Sequence, residues 1–134
     1  MAEITTLAVQ FDEENIPRVN SIKVDPADYR SLNRAIHADY GEIVPVSING
    51  KEYTLWCDEE SKLKDGWLSR ATFPLFDYNN NLADLVSGGY VILDVTFDED
   101  GNENYNEIVG KDAETLKNAV IDRISMAQVA AMML

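Results

Sequence analysis

The chain has 134 residues, 24 acidic and 11 basic, with a formal net charge of −13, a pI near 4.2 and a composition that is 46% hydrophobic. Such a length buries most of the surface its unfolded form exposes, so one domain over residues 1–134 is expected without a metal or disulfide to hold it. The charge argues against direct binding to duplex DNA or RNA, which depends on lysine and arginine displacing counterions, and no apolar run reaches the roughly 18 residues of a membrane span.

The start, MAEITTLAVQFDEEN, has no basic region ahead of an apolar stretch, so no secretory signal is expected, and the lone Cys57 fits a reducing, cytoplasmic setting. ITTLAVQF, residues 4–11, and RVNSIKV, residues 18–24, are rich in β-branched and apolar residues, and the acidic DEENIP between them reads as a hairpin connection. In DPADYRSLNRAIHADYG, Asp25 is a candidate helix cap with Pro26 at the first position and Asp28 in the first turn. The spacing of Tyr29, Leu32, Ile36 and Tyr40 predicts one apolar helix face, with Gly41 ending the helix. EIVPVSINGKEYTLWCD is the clearest hairpin, because Asn49-Gly50 suits a two-residue turn with positive φ at both positions, and Pro45 places its first strand at an edge or bulge.

Further on, RATFPLF reads as extended and NNNLADLVSGG as a short helix stopped by Gly88 and Gly89. YVILDVTF is the most hydrophobic strand and is expected at the centre of the sheet. A turn at Asp100-Gly101 leads to ENYNEIV, and Asp112 is a candidate cap for a last helix from about Ala113. That helix carries Leu116, Val120 and Ile124 on one face and then becomes apolar all round in MAQVAAMML, so Val129, Met132, Met133 and Leu134 are expected to meet a second subunit, a partner or the chain's own core. The expected fold is α+β: a mostly antiparallel sheet of about six or seven strands, one amphipathic helix packed on it, a short helix and a C-terminal helix.

The chemistry-bearing residues are sparse. Cys57 and His37 are too few to form a structural zinc site, and no motif aims them at a substrate as nucleophile and base. Residues 96–107, TFDEDGNENYNE, place Asp98, Asp100, Gly101 and Glu107 at positions three, five, six and twelve of a calcium loop, but Thr96 stands first and the flanks read as strands. An acidic hairpin tip is the better reading, and no metal or cofactor is expected. No glycine-rich phosphate loop, nucleophile elbow or dinucleotide fingerprint is present, and the Asp58-Glu59 doublet reads as solvated surface.

The stretch DEESKLKDGWLSRAT, with LAVQF, YRSLNRAIHADYGEIVPV and LVSGGYVILDV around it, resembles a family known as domain of unknown function 3846, found in small proteins of bacteria and their phages. Asp58, Glu59, Lys62, Leu63, Arg70, Ala71 and Thr72 match its signature, whereas Leu68 and Ser69 stand where an asparagine usually precedes the arginine. The resemblance implies a phage or mobile-element context and no particular activity. Two physical readings of the signature stay open. Glu59, Lys62 and Arg70 exchange charge-assisted bonds across a loop, with Ala71 and Thr72 entering a strand too tight for bulk, or Arg70 offers its planar fork to a phosphate or carboxylate with Trp67 or Tyr53 as a stacking face.

The leading functional expectation is a small acidic, non-enzymatic protein that inhibits a host antiviral-defence protein by presenting a nucleic-acid-like surface to its basic face. The acidic surface is expected around Asp12, Glu13 and Glu14 and around Asp98, Glu99 and Asp100. The alternative is an oligomeric sponge that holds a nucleotide signal, joined through the C-terminal helix. A metal-assisted hydrolase is the weakest expectation.

Overall fold

The computed structural model describes residues 3–134. Strands β1 (Ile4–Phe11) and β2 (Pro17–Val24) form the first hairpin, followed by helix α1 (Tyr29–Ala35). Strands β3 (Gly41–Ile48) and β4 (Lys51–Asp58) turn at Asn49 and Gly50, whose φ values of 54° and 77° supply the left-handed pair such a turn needs. Two 3-10 turns, Ser61–Leu63 and Trp67–Arg70, lead into β5 (Ala71–Phe76), β6 (Leu82–Ser87), β7 (Tyr90–Phe97), β8 (Glu103–Asn106) and helix α2 (Gly110–Met132).

The main sheet runs β2-β1-β7-β4-β3 with β8 also on β7, and all its pairs are antiparallel; β5 and β6 form a separate two-stranded sheet. β7 therefore lies at the centre and Pro45 on the edge strand β3, where its missing N–H costs no ladder bond.

Alternation along the strands divides the core in two. Leu7, Val9, Leu55, Cys57, Tyr90 and Ile92 face the side covered by Leu116, Val120 and Ile124 of α2 and by Phe73 and Val86 of the small sheet. Ile4, Ala8, Val91 and Leu93 face the other side, where Leu32 and Ile36 cover them. Each such buried aliphatic side chain contributes about 1.5–3 kcal/mol of transfer free energy, so both layers are needed to hold the sheet.

Three expectations need correction. NNNLADLVSGG is not a helix: Leu82, Leu85 and Val86 have helical spacing, but they belong to β6, which pairs with β5 through Phe73↔Val86 and Pro74↔Leu85. A short apolar run carries both periods, and pairing with a neighbouring strand decides between them. Helix α1 is shorter than its apolar spacing suggests. Asp28, not Asp25, caps it by accepting from Arg30 N at 3.0 Å, while Asp25 closes a turn on Ala27 N; His37 at φ 53° ends it, and Gly41 already belongs to β3. Tyr29 and Tyr40 consequently stay out of the core, at 62% and 63% exposure. The last helix begins at Gly110 after Val109, so Asp112 lies in its first turn, where it complements the dipole without capping. The α+β class and the antiparallel sheet of about six or seven strands hold: six strands form the main sheet, and residues 82–87 complete the separate pair, eight strands in all.

Candidate functional site

The signature stretch closes one end of the sheet, where β1 turns into β2 and β4 runs out beside Tyr90 of β7. Asp58 is buried there: one carboxylate oxygen accepts from Glu60 N at 2.9 Å and the other from Lys64 Nζ at 2.6 Å, which folds the loop back on itself. Thr72 is fully buried, and its hydroxyl donates to Gly88 O at 2.7 Å. Gly88 N donates to Arg70 O at 2.8 Å, with Gly88 at φ 81°. Its neighbour Gly89 passes so close to β1 that a Cβ would stand 2.5 Å from Val9 O.

These contacts leave a cleft of about 210 Å³ lined by Phe11, His37, Asp58, Ser61, Lys64, Arg70 and the Gly88–Gly89 backbone, among others. Arg70 is half-buried on its wall. Its Nη1 donates to Asn15 Oδ1 at 2.8 Å and its guanidinium lies 4.1 Å from the Phe11 ring centre. Among the described residues Arg70 pairs with no carboxylate.

The expected Glu59–Lys62–Arg70 exchange is therefore not formed. Lys62 pairs with Asp84 of β6 and lies 5.3 Å from the Trp67 ring, and the exposed Glu59 side chain has no partner among the described residues. Trp67 and Tyr53 do not stack on Arg70 either. Tyr53 sits under Lys51 at 5.5 Å, and the Lys51 ammonium bonds Asp94 at 2.8 Å. The strand entry expected at Ala71 and Thr72 holds, since both are fully buried. The residues that do hold Arg70, Phe11 and Asn15, lie 59 and 55 positions away in sequence, and no local pattern announces them.

His37 and Cys57 do not meet as a catalytic pair. Cys57 packs into the core on the α2 side, where burial, with Glu42 and Asp58 nearby, pushes its thiol up to about 12, while His37 is exposed beyond α1 on the other side. Among the described residues no group of three or more His, Cys, Asp or Glu side chains converges as a metal would require. Asp98 spends its carboxylate on its own turn, accepting from Asp100 N at 2.9 Å and Asn102 N at 2.8 Å. Asp12 does the same with Glu14 N, Ile16 N and the Arg18 side chain.

Glu13, Glu14, Glu99 and Asp100 are exposed at the two tips, which lie at opposite ends of the sheet because β7 runs antiparallel to β1. Among the described residues, five of the 24 acidic side chains make ion pairs, leaving 19 without a cation there against six unpaired basic residues. At the far end of α2, Val129, Met132, Met133 and Leu134 are 58%, 85%, 82% and 73% exposed, so the chain's own core does not cover them. Among the described residues, no helix is long and apolar enough to cross a membrane.

A second depression, more open and of about 750 Å³, lies beside the signature on the α1 side and is lined by Tyr29, Asn33, Asp39, Tyr40, Gly41, Trp56 and Glu59. Trp56 is fixed in it: its indole N–H donates to Asn33 Oδ1 at 2.9 Å, and the ring fills the space where a Cβ on Gly41 would stand, 2.2 Å from ring atoms. Asn33 in turn donates to Asp39 O at 3.3 Å, and Glu59 N donates to Tyr40 O at 3.0 Å, so the chain segments around the depression are bonded together. Nothing in the sequence marks this group beyond two tyrosines that helical spacing assigns to the core.

No protein-family model, curated protein or solved structure matches the chain.

Proposed function

We propose that this chain is a non-enzymatic binding protein that docks its acidic surface against a basic, nucleic-acid-binding face of another protein, and that it serves a phage or mobile element by inhibiting a host defence component in this way. The observation that carries this reading is the excess, among the described residues, of 19 unpaired acidic residues over six unpaired basic ones, spread over hairpin tips, loops, strands and helix surface. A field of that sign steers a cationic surface into encounter and weakens as salt screens it. The test is competition: the purified chain displaces duplex DNA from a basic DNA-processing host protein, and its affinity falls steeply between low and physiological salt. Failure to displace DNA from any such protein, or affinity that ignores salt, rejects the reading.

A second reading rests on Arg70. A guanidinium with no carboxylate partner on the wall of a cleft of about 210 Å³ suits a phosphate or carboxylate, as a sponge for a nucleotide signal requires. Native mass spectrometry of freshly purified protein reads both mass and cargo. A retained nucleotide released unchanged on denaturation supports the sponge, and a bare monomer rejects it.

A further inference from the structure

Four aromatic rings of this fold carry one of the chain's own cations: Tyr53 carries Lys51, Trp67 carries Lys62, Phe11 carries Arg70 and Phe73 carries Arg123, at 4.1–5.6 Å. Tyr29, Tyr40 and Trp56 line one depression and, among the described residues, carry none. No lysine or arginine lines that depression, and its two carboxylates, Asp39 and Glu59, belong to none of the five ion pairs. Trp56 has already committed its N–H to Asn33, so what it offers outward is ring surface, held in place by the Asn33 bond and the bare Gly41.

We propose that this depression is the seat for an arginine side chain of the basic partner, taking the guanidinium between the aromatic rings and the Asp39 and Glu59 carboxylates. This inference rests on the reading of the chain as a binder of basic proteins and assigns that binding a centre. The chemistry is complementary on each count. Ring faces attract a cation electrostatically, with the indole strongest. A carboxylate accepts from the planar fork, and two uncompensated carboxylates repel an anionic ligand. Tryptophan, tyrosine and arginine are the residue types that most often dominate the energy of protein interfaces, and the open depression of about 750 Å³ admits an arginine side chain with room to spare. The hairpin tips speed the approach, and this seat holds the complex.

The experiment uses the isotope-labelled full chain and a short capped peptide alternating arginine and glycine, beside the same peptide with neutral citrulline and one with lysine. The Trp67→Phe variant identifies the Trp56 indole resonance. The arginine peptide is expected to move that resonance and the amides of residues 39–41 and 59, the lysine peptide less, and the citrulline peptide not at all. Tyr40→Ala and Glu59→Gln change exposed side chains, so the fold persists in circular dichroism, and each weakens binding by about tenfold. Shifts centred on residues 12–14 or 98–100, with both variants binding as before, overturn the seat and leave the binder reading standing. Equal binding of the citrulline peptide also overturns it. No salt-dependent binding of any basic peptide or protein overturns both.

Discussion

The guanidinium of Arg70 lies 4.1 Å from the centre of the Phe11 ring, and its Nη1 donates to Asn15 Oδ1 at 2.8 Å, so one side chain of the signature ties the 3-10 turn before β5 to the β1–β2 hairpin. Removing it loses a cation–π contact and a charge-assisted hydrogen bond. Arg70→Ala is expected to lower the unfolding free energy by about 1–2 kcal/mol in urea titration, with Arg70→Lys recovering less than half because an ammonium has no planar fork. An unchanged midpoint for Arg70→Ala shows that this tie contributes nothing to the fold.

Gly41 and Trp56 are coupled sterically. Gly41→Ala places a methyl about 2.2 Å from indole atoms, closer than real contacts allow, so Trp56 must swing away from Asn33. Overpacking of this kind costs about 1–3 kcal/mol, and the freed Asn33 amide adds to it. The measurement is a lowered denaturation midpoint together with a shifted Trp56 indole resonance. A variant as stable as the parent, with that resonance unmoved, refutes the coupling.

Alkaline pH should find several groups that hold their protons harder in the folded chain, the fully buried Tyr90 and the partly buried Tyr53 among them through desolvation. Burial, with help from Glu42 and Asp58, pushes the Cys57 thiol up to about 12, and the hydrogen bond to Glu103 together with burial pushes the Tyr105 hydroxyl up to about 12. Since the folded values exceed the unfolded ones, stability is full below about pH 9 and falls as pH rises towards about 12. Melting temperatures across that window test the slope, and Cys57→Ala should remove the thiol's share. At neutral pH a maleimide should label Cys57 only after denaturation; rapid labelling of the native chain counts against a buried thiol.

At the acid end the sign reverses. The backbone N–H of Ile16 and the Arg18 side chain hold Asp12 below the usual carboxylate range, and the backbone N–H of Asn102 does so for Asp98. Their contribution is present above their unfolded values and is lost as pH falls through the lowered folded ones. Asp12→Asn and Asp98→Asn should therefore flatten the acid limb of the stability profile. An acid limb unchanged in both variants would show that the turns do not use these carboxylates.

The end of α2 is expected to contribute little to the fold. Met132→Gln and Met133→Gln alter side chains that are 85% and 82% exposed, so the unfolding free energy should change by less than about 0.5 kcal/mol. Ala127→Glu, at a fully buried position against Ala71 and Leu85, should unfold or severely destabilise the chain. Light scattering on the methionine variants reports whether that apolar end also joins copies of the chain. A large stability loss from either methionine change would place the end of α2 in the core after all.

Local pattern was enough for the α+β class, the two hairpins of β1–β4, the central place of β7, the apolar face of α2 and the acidic excess, because alternation, turn chemistry and composition act between neighbours in sequence. Pairing with β5 decided that residues 82–87 are a strand, since a short apolar run satisfies the helical and the extended period alike. Long-range placement also chose the partners of the signature. Lys62 meets Asp84, Lys64 meets Asp58, and Arg70 meets Asn15 and Phe11, although charge alone gives each cation many equivalent carboxylates to choose from. The depression at Tyr29, Tyr40 and Trp56 exists only because α1 ends early and β3 begins at a glycine that leaves room for an indole. Those are facts of tertiary geometry: a side chain's neighbours across a sheet are set by register and layer, which no short window of sequence contains.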